Sequence, residues 1–286
     1  MSADPAYAPR AEAGLRAALA AGGDGLAGGG SALDAVVAAV RELERCEVFD
    51  AGRGAVLDRD GGVALDAAVM EGASRRAGGV IAVARVQHPI DAAFAVLRDA
   101  RHVLFAGEGA ERFAREAGLA MVEPDYHVTA ERRAQHARAL AGPAKSTGTV
   151  GAVAIDRDGH LAAATSTGGI AGRVPGRISD SGLPGSGTWA DDATCAVSAT
   201  GTGDFFIRCG FARDVDARIR YRGSDLEVAC REALADVSAL GGFGGCIALD
   251  ARARVVIHFD TPAMARGVRV GAGPARIAVG GPGELA

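Results

Sequence analysis

The order of elements in this 286-residue chain predicts an α+β protein built of packed layers. Two hairpin signals carry that expectation. Val150–Ile155 and Leu161–Thr165 flank the turn Asp156-Arg157-Asp158-Gly159, and Gly245–Leu249 and Val255–Phe259 flank residues 250–254. Helical patterns over Asp204–Arg218 and Leu226–Leu240 lie between the hairpins. Strands, then helices, then strands favour layered α+β packing over alternating βαβ units. A hydrophobic content of 49% suffices for a substantial core.

Upstream, Ser31 and Asp34 open a helix over 31–45, with Leu33, Val36, Val37, Val40 and Leu43 at helical spacing. A turn-rich segment, Phe49–Gly54, follows. Strand-like pieces at Gly54–Leu57 and Gly62–Leu65 are separated by a break at Asp60-Gly61-Gly62. Ile90–Arg101 and Ala110–Ala117 read as helices, and Gly107-Glu108-Gly109 as a turn. Residues 122–148 are polar and charged, closing in Gly142-Pro143-Ala144-Lys145-Ser146-Thr147-Gly148. Their composition predicts a mobile, accessible surface connection.

The bulk properties narrow the function. A net charge of −4 makes no electrostatic case for nucleic acid or an anionic membrane. Five scattered cysteines, Cys46, Cys195, Cys209, Cys230 and Cys246, form no CxxC pair and indicate neither zinc nor a disulfide framework. Reduced thiols in a cytoplasmic protein are the expectation. The alanine-rich stretch Met1–Gly23 is interrupted by charge and reads neither as a secretory signal nor as a membrane span. No P-loop, HExxH or GxSxG motif occurs.

Chemistry concentrates at Thr149. It opens an apolar strand directly after the polar connection, where cutting one peptide bond would free its α-amine. An N-terminal amine, with an ordinary pKa of about 7.7–8.0, can serve as base for its own side-chain hydroxyl. Threonines opening strands also simply favour β structure, so the residues alone leave both readings open. Likewise, Arg177 and Asp180 could be a surface ion pair or a clamp for an amino acid's α-carboxylate and α-ammonium.

The ordered blocks decide between these readings. Gly148-Thr149-Val150-Gly151-Ala152-Val153 and Thr165-Ser166-Thr167-Gly168-Gly169 resemble the plant-type asparaginase/isoaspartyl peptidase family of N-terminal-nucleophile hydrolases. So do residues 175–181, Ala196-Val197-Ser198-Ala199-Thr200-Gly201-Thr202-Gly203 and residues 241–245. Upstream blocks at Leu43-Glu44, Phe49-Asp50-Ala51-Gly52, residues 65–70 and residues 107–110 also agree, so the likeness runs from about Gly28 to about Met264. It implies a four-layer αββα sandwich in one domain, 1–286, cleaved between Gly148 and Thr149. The products would be an α chain 1–148, carrying the 122–148 linker, and a β chain 149–286.

The resemblance further implies roles. Thr149 would be the nucleophile, supported by Thr167, with Thr200 and Gly201 as the oxyanion pair. Arg177, Asp180, Thr200, Gly201 and Gly203 would bind substrate. Leu43, Glu44, Cys46, Phe49, Ala51 and Arg53 fall where the family has a sodium-binding loop of backbone carbonyls; no other cofactor is implied. The activity expected is hydrolysis of L-asparagine and β-aspartyl dipeptides by a homodimer of αβ units. No nucleic acid or membrane partner is expected.

Four departures keep alternatives open. The family's opening strand, ending in His-Gly-Gly-Ala-Gly, has no counterpart in Met1-Ser2-Ala3-Asp4-Pro5. The expectation is either a true start upstream or a catalytically impaired member. Asp50 replaces the usual asparagine, putting an anion beside the site. Asp204, in place of the usual glutamate, and Ala190-Asp191-Asp192 lean towards glycosylasparaginases, while the surroundings of Thr149 and Thr167 lean away. Phe259-Asp260-Thr261-Pro262 departs from Phe-Asn-Thr-x-Gly.

Overall fold

A computed structural model describes residues 6–140, 147–283 and 285. Met1–Pro5 and residues 141–146, the last part of the expected linker, lie outside the described residues. The elements run α1 (Tyr7–Ala27), α2 (Ala32–Arg45), β1 (Leu65–Glu71), β2 (Ala77–Val83), α3 (Pro89–Asp99), β3 (Leu104–Ala106) and α4 (Gly107–Glu116). A 3-10 turn (Pro124–His127) and α5 (Ala130–Leu140) precede β4 (Thr147–Ile155) and β5 (Leu161–Ile170). After β6 (Thr188–Ala190) and β7 (Cys195–Gly201) come α6 (Gly203–Cys209), α7 (Phe211–Arg222) and α8 (Leu226–Ala239). The chain closes with β8 (Gly244–Asp250), β9 (Val255–Phe259), β10 (Arg266–Val268) and β11 (Arg276–Ala278).

These elements make four layers. One sheet has the order β3-β2-β1-β5-β4 and the other β6-β7-β8-β9, with β10-β11 a small separate hairpin. The sheets face each other where β4 and β5 meet β6, β7 and β8. On the outer face of the first sheet lie α2 and α3, and on that of the second lie α7 and α8. The architecture is the expected αββα sandwich. Among the described residues, no helix is long and apolar enough to cross a membrane.

Local chemistry explains the elements. Ser31 caps α2: its hydroxyl accepts the Asp34 N–H at 3.1 Å, and Ala32 N–H is taken by Asp156 Oδ2 at 3.0 Å. The α2 side chains Val36, Val37, Val40 and Leu43 are all buried. In the first hairpin, Asp156 Oδ1 accepts from Asp158 and His160 N–H, closing the expected turn.

Several expectations are corrected. Residues 54–57 and 62–64 are not strands, and the strand begins at Leu65. The backbone of 54–57 bonds to loops instead of a ladder: Gly54 N–H to His127 O, Val56 N–H to Asp50 Oδ1, and Gly172 N–H to Leu57 O. Asp58 ties its own loop by accepting from Asp60 and Gly62 N–H. The helix expected over Asp204–Arg218 is two helices, broken at Gly210 with φ +57°. Residues 107–109 open α4 and are not a turn. Within the expected mobile connection, 124–127 and 130–140 are helical, and His127 and Arg132 are buried. Arg132 anchors that segment by donating to the carbonyls of Gly54 and Val48.

No thiol is paired: all five cysteines are free, with Cys195, Cys230 and Cys246 buried. The alanine-rich start forms α1, packed on α2 with Gly22 against Ala35. Alanine favours helix and glycine does not, so α1 takes its stability from this packing.

Candidate active site

The pairing of β4 with β5 is regular except beside Thr149. Gly148 pairs with Gly169 and Val150 with Ser166, so Thr167 and Gly168 together oppose Thr149. This bulge adds one residue on β5 and turns the Thr167 side chain towards Thr149. The Thr149 hydroxyl lies 2.6 Å from the Gly148 carbonyl oxygen and 3.3 Å from the Thr167 hydroxyl. Thr167 Oγ1 donates to that same carbonyl at 2.7 Å and accepts the Gly169 N–H at 2.9 Å. One carbonyl, that of the expected scissile bond, thus gathers both threonine hydroxyls.

Glycine is required around this point. A Cβ on Gly148 would sit 2.5 Å from Asp50 Cβ, and one on Gly168 would sit 2.2 Å from Asp50 Oδ1. Asp50 is buried against the bulge, its carbonyl accepting Gly168 N–H at 3.0 Å. Burial pushes its carboxyl up to about 6, against the pull of Arg132 and of the Val56 N–H. The expected anion is therefore a strongly desolvated one.

Thr200 and Gly201 end β7 and line the same cleft as Gly148, Thr149 and Asp50. The cleft encloses about 1220 Å³ between β4, β7, β8 and α5. Gly201 has φ +149°, and a Cβ there would meet the Phe243 carbonyl at 2.3 Å. Beyond it, Thr202 exchanges hydrogen bonds with the backbone of Phe243, fixing the turn. A second hollow of about 590 Å³, between β9 and the β10–β11 hairpin, contains none of the expected site residues.

Arg177, Asp180 and Gly203 form a cluster, with Gly203 two residues beyond the cleft-lining Gly201. A Cβ on Gly203 would lie 2.4 Å from Asp180 Oδ1 and 2.9 Å from Arg177 Nη2. The ion-pair partner of Arg177 is Asp204 at 2.8 Å, so the alternative reading of Arg177 and Asp180 as a surface ion pair does not hold. Asp180 Oδ2 is buried without a hydrogen-bond partner among the described residues. Burial pushes the Asp180 carboxyl up to about 7, with Arg177 opposing and Asp66 and Asp204 reinforcing the shift.

Two buried acids, Asp66 and Glu44, brace the surroundings of these residues. Asp66, paired in register with Thr167, accepts Ser179 N–H and Ala82 N–H at 2.8 Å each. It thereby ties the Arg177–Asp180 loop to the threonine strand. Glu44 was expected to offer its carbonyl, yet its side chain is wholly buried and accepts from Ser166 Oγ at 2.6 Å and Ile90 N–H at 3.0 Å. Burial raises its carboxyl, with His88 and Ser166 opposing. The signal in the sequence was only an acid directly after Leu43, the last apolar position of the helix pattern.

The loop from Leu43 to Arg53 curls back on itself. Cys46 N–H bonds Leu43 O, Phe49 N–H bonds Cys46 O, and Arg53 N–H bonds Glu44 O at 2.7 Å. Each of these carbonyls keeps a second lone pair, and neutral oxygens are donors that suit a hard cation such as sodium.

Comparison with known proteins gives consistent likenesses. The profile described as asparaginase matches residues 3–279. An isoaspartyl peptidase of Salmonella typhimurium is 47% identical over 255 residues, covering 84% of this chain and 82% of its own. The Escherichia coli isoaspartyl peptidase is 44% identical over 266 residues, covering 88% and 83%. A plant-type L-asparaginase of Pyrobaculum calidifontis is 39% identical over 251 residues, covering 83% of each chain.

Proposed function

The chain belongs to the asparaginase family, and on that premise we propose a self-processing threonine amidohydrolase acting on β-aspartyl dipeptides and L-asparagine. One observation carries the reading: the Thr149 and Thr167 hydroxyls converge on the Gly148 carbonyl.

In the uncut chain the Thr149 nitrogen is an amide and cannot take a proton. The Thr149 hydroxyl attacks the Gly148 carbonyl carbon, with Thr167 donating to its oxygen. The carbon–nitrogen bond breaks, the hydroxyl proton passes to the leaving nitrogen, and an ester remains. Water hydrolyses the ester, leaving a Gly148 carboxylate and a free Thr149 amine. That amine then accepts the hydroxyl proton as Thr149 attacks the substrate's side-chain amide. Thr200 and Gly201 receive the oxyanion, each worth about 2.7–4 kcal/mol in comparable sites. The protonated amine returns its proton to the leaving amine or ammonia, and water releases aspartate from the acyl-enzyme.

Substrate orientation falls to Arg177 for the α-carboxylate and to Asp180 for the α-ammonium, with the Gly203 backbone beside both. The unpartnered Asp180 oxygen supports this role: a buried carboxylate is stabilised by an incoming cation. Leu43, Glu44, Cys46, Phe49, Ala51 and Arg53 would hold a sodium ion through backbone carbonyls. Its charge would brace the turn that carries Asp50. We further place two αβ units in a homodimer, and the free cysteines support a reducing, cytoplasmic setting.

Intact mass of the incubated protein tests the reading. Fragments 1–148 and 149–286 are expected, and Thr149→Ala should remain one chain without turnover. A wild-type chain that stays whole and inert would favour a silent family member. Dominant activity on N-glycosylated asparagine would reassign the substrate.

A further inference from the structure

The partner that Arg177 takes points to a residue outside the expected site. Arg177 and Asp180 face each other across the space that a Gly203 side chain would fill, yet they form no ion pair among the described residues. Arg177 Nη2 is drawn instead to Asp204 Oδ2 at 2.8 Å. Arg177 Nε and Asp180 Oδ2 remain buried and unpartnered. The guanidinium carries five N–H groups, so donating one to Asp204 leaves the rest of the fork available.

Asp204 sits in the first turn of α6, directly after Gly203. It is 60% exposed at its side chain, against 16% for Arg177. It therefore reaches the guanidinium from the solvent side and leaves the inner side open. Without it, Asp180 remains as a carboxylate facing Arg177 across the Gly203 position. A planar cation beside a desolvated carboxylate would close onto it as a charge-assisted pair, and both ends of the clamp would be occupied at once.

We infer that Asp204 is a positioning residue that holds Arg177 away from Asp180, keeping the clamp open for a free α-amino acid zwitterion. The inference rests on reading Arg177 and Asp180 as the substrate clamp. Asp204 touches neither substrate nor the reacting atoms, so its loss should act on binding and not on the chemical step.

L-aspartate, which carries the same α-carboxylate and α-ammonium, is the probe. Calorimetric titration of the processed protein should give an affinity about ten-fold weaker for Asp204→Ala, a size in keeping with loss of one oriented charge-assisted contact. Asp204→Glu should recover most of it. With a β-aspartyl dipeptide, Asp204→Ala should raise KM by a similar factor while kcat and the rate of self-cleavage stay within about two-fold. Asp204→Asn, which keeps an acceptor oxygen, should fall between and serves if the alanine variant folds poorly. Unchanged or tighter L-aspartate binding in Asp204→Ala and Asp204→Asn would overturn the inference, as would losses in kcat and self-cleavage matching the loss in binding. Arg177→Ala separates the two layers: if it leaves KM unmoved the clamp itself is wrong, whereas a raised KM there with a normal Asp204→Ala removes only the role given to Asp204.

Discussion

Thr167 is the residue whose removal reads the site most directly, because its hydroxyl donates to Gly148 O at 2.7 Å while accepting from Gly169 N–H. Thr167→Val keeps the side chain's shape and deletes both contacts. Self-cleavage should slow by about 10²-fold or more, on the scale of losing one oxyanion donor, followed by electrophoresis over time. Thr167→Ser should restore much of the rate. At Thr149, serine retains a hydroxyl and should still process, whereas alanine should not. Both variants can be scored by intact mass alone, without any assumption about substrate.

The element that matters is the bulged β4–β5 pair, because it brings the Thr149 and Thr167 hydroxyls to one carbonyl. Its geometry depends on Gly168 having no side chain: a Cβ would lie 2.8 Å from both the Val56 nitrogen and Ala55 Cβ. Backbone cannot swing aside as a long side chain can. Gly168→Ala should therefore cost about 1–3 kcal/mol, as overpacking does, seen as a lower urea midpoint at unchanged slope. Because the strain falls on the bulge, self-cleavage should fall with it. An equal substitution at Gly159, where a Cβ meets nothing within 4 Å, tests the hairpin turn instead. It should leave self-cleavage intact, although φ there is +82°.

At the scale of the molecule, buried groups make stability depend on pH: burial raises Asp50, Asp180 and Glu44, while His127, lowered to about 4 by burial, works the other way below pH ~6.5. Asp50 is raised from 3.8 to about 6 and Asp180 from 3.8 to about 7, desolvation being the main cause in both. The folded state therefore holds these protons more tightly than the unfolded chain. Their contribution is fully present below pH ~4 and is lost as pH rises through about 6 and 7. Melting temperature should fall between pH 5 and pH 8, by an amount corresponding to a few kcal/mol. Asp50→Asn should flatten the lower part of that fall and raise the melting temperature at pH 8, since an amide oxygen can still accept the Val56 N–H. Calorimetric scans at closely spaced pH values check this. An Asp50→Asn profile that parallels the wild type throughout would show that Asp50 is not desolvated in solution.

Much was legible in the chain itself. The capped helix at Ser31, both hairpins and the layered α+β order follow from periodicity and turn chemistry, which act over a few residues. The motif blocks singled out Thr149 and Thr167, whose hydroxyls the fold brings to one carbonyl. Other features depend on contacts far apart in sequence. The stretch 54–57 looks like a strand but spends its hydrogen bonds on Asp50, His127 and Gly172. The linker segment looks like solvated surface, yet Arg132 reaches back to Val48 and Gly54. Whether Arg177 pairs with Asp180 or Asp204 turns on the direction in which α6 starts, which spacing does not encode. Local pattern determines most of the elements and which residues can do chemistry. Tertiary packing alone decides which polar groups lose water together, and that desolvation sets the partners and protonation of Asp50, Glu44 and Asp180.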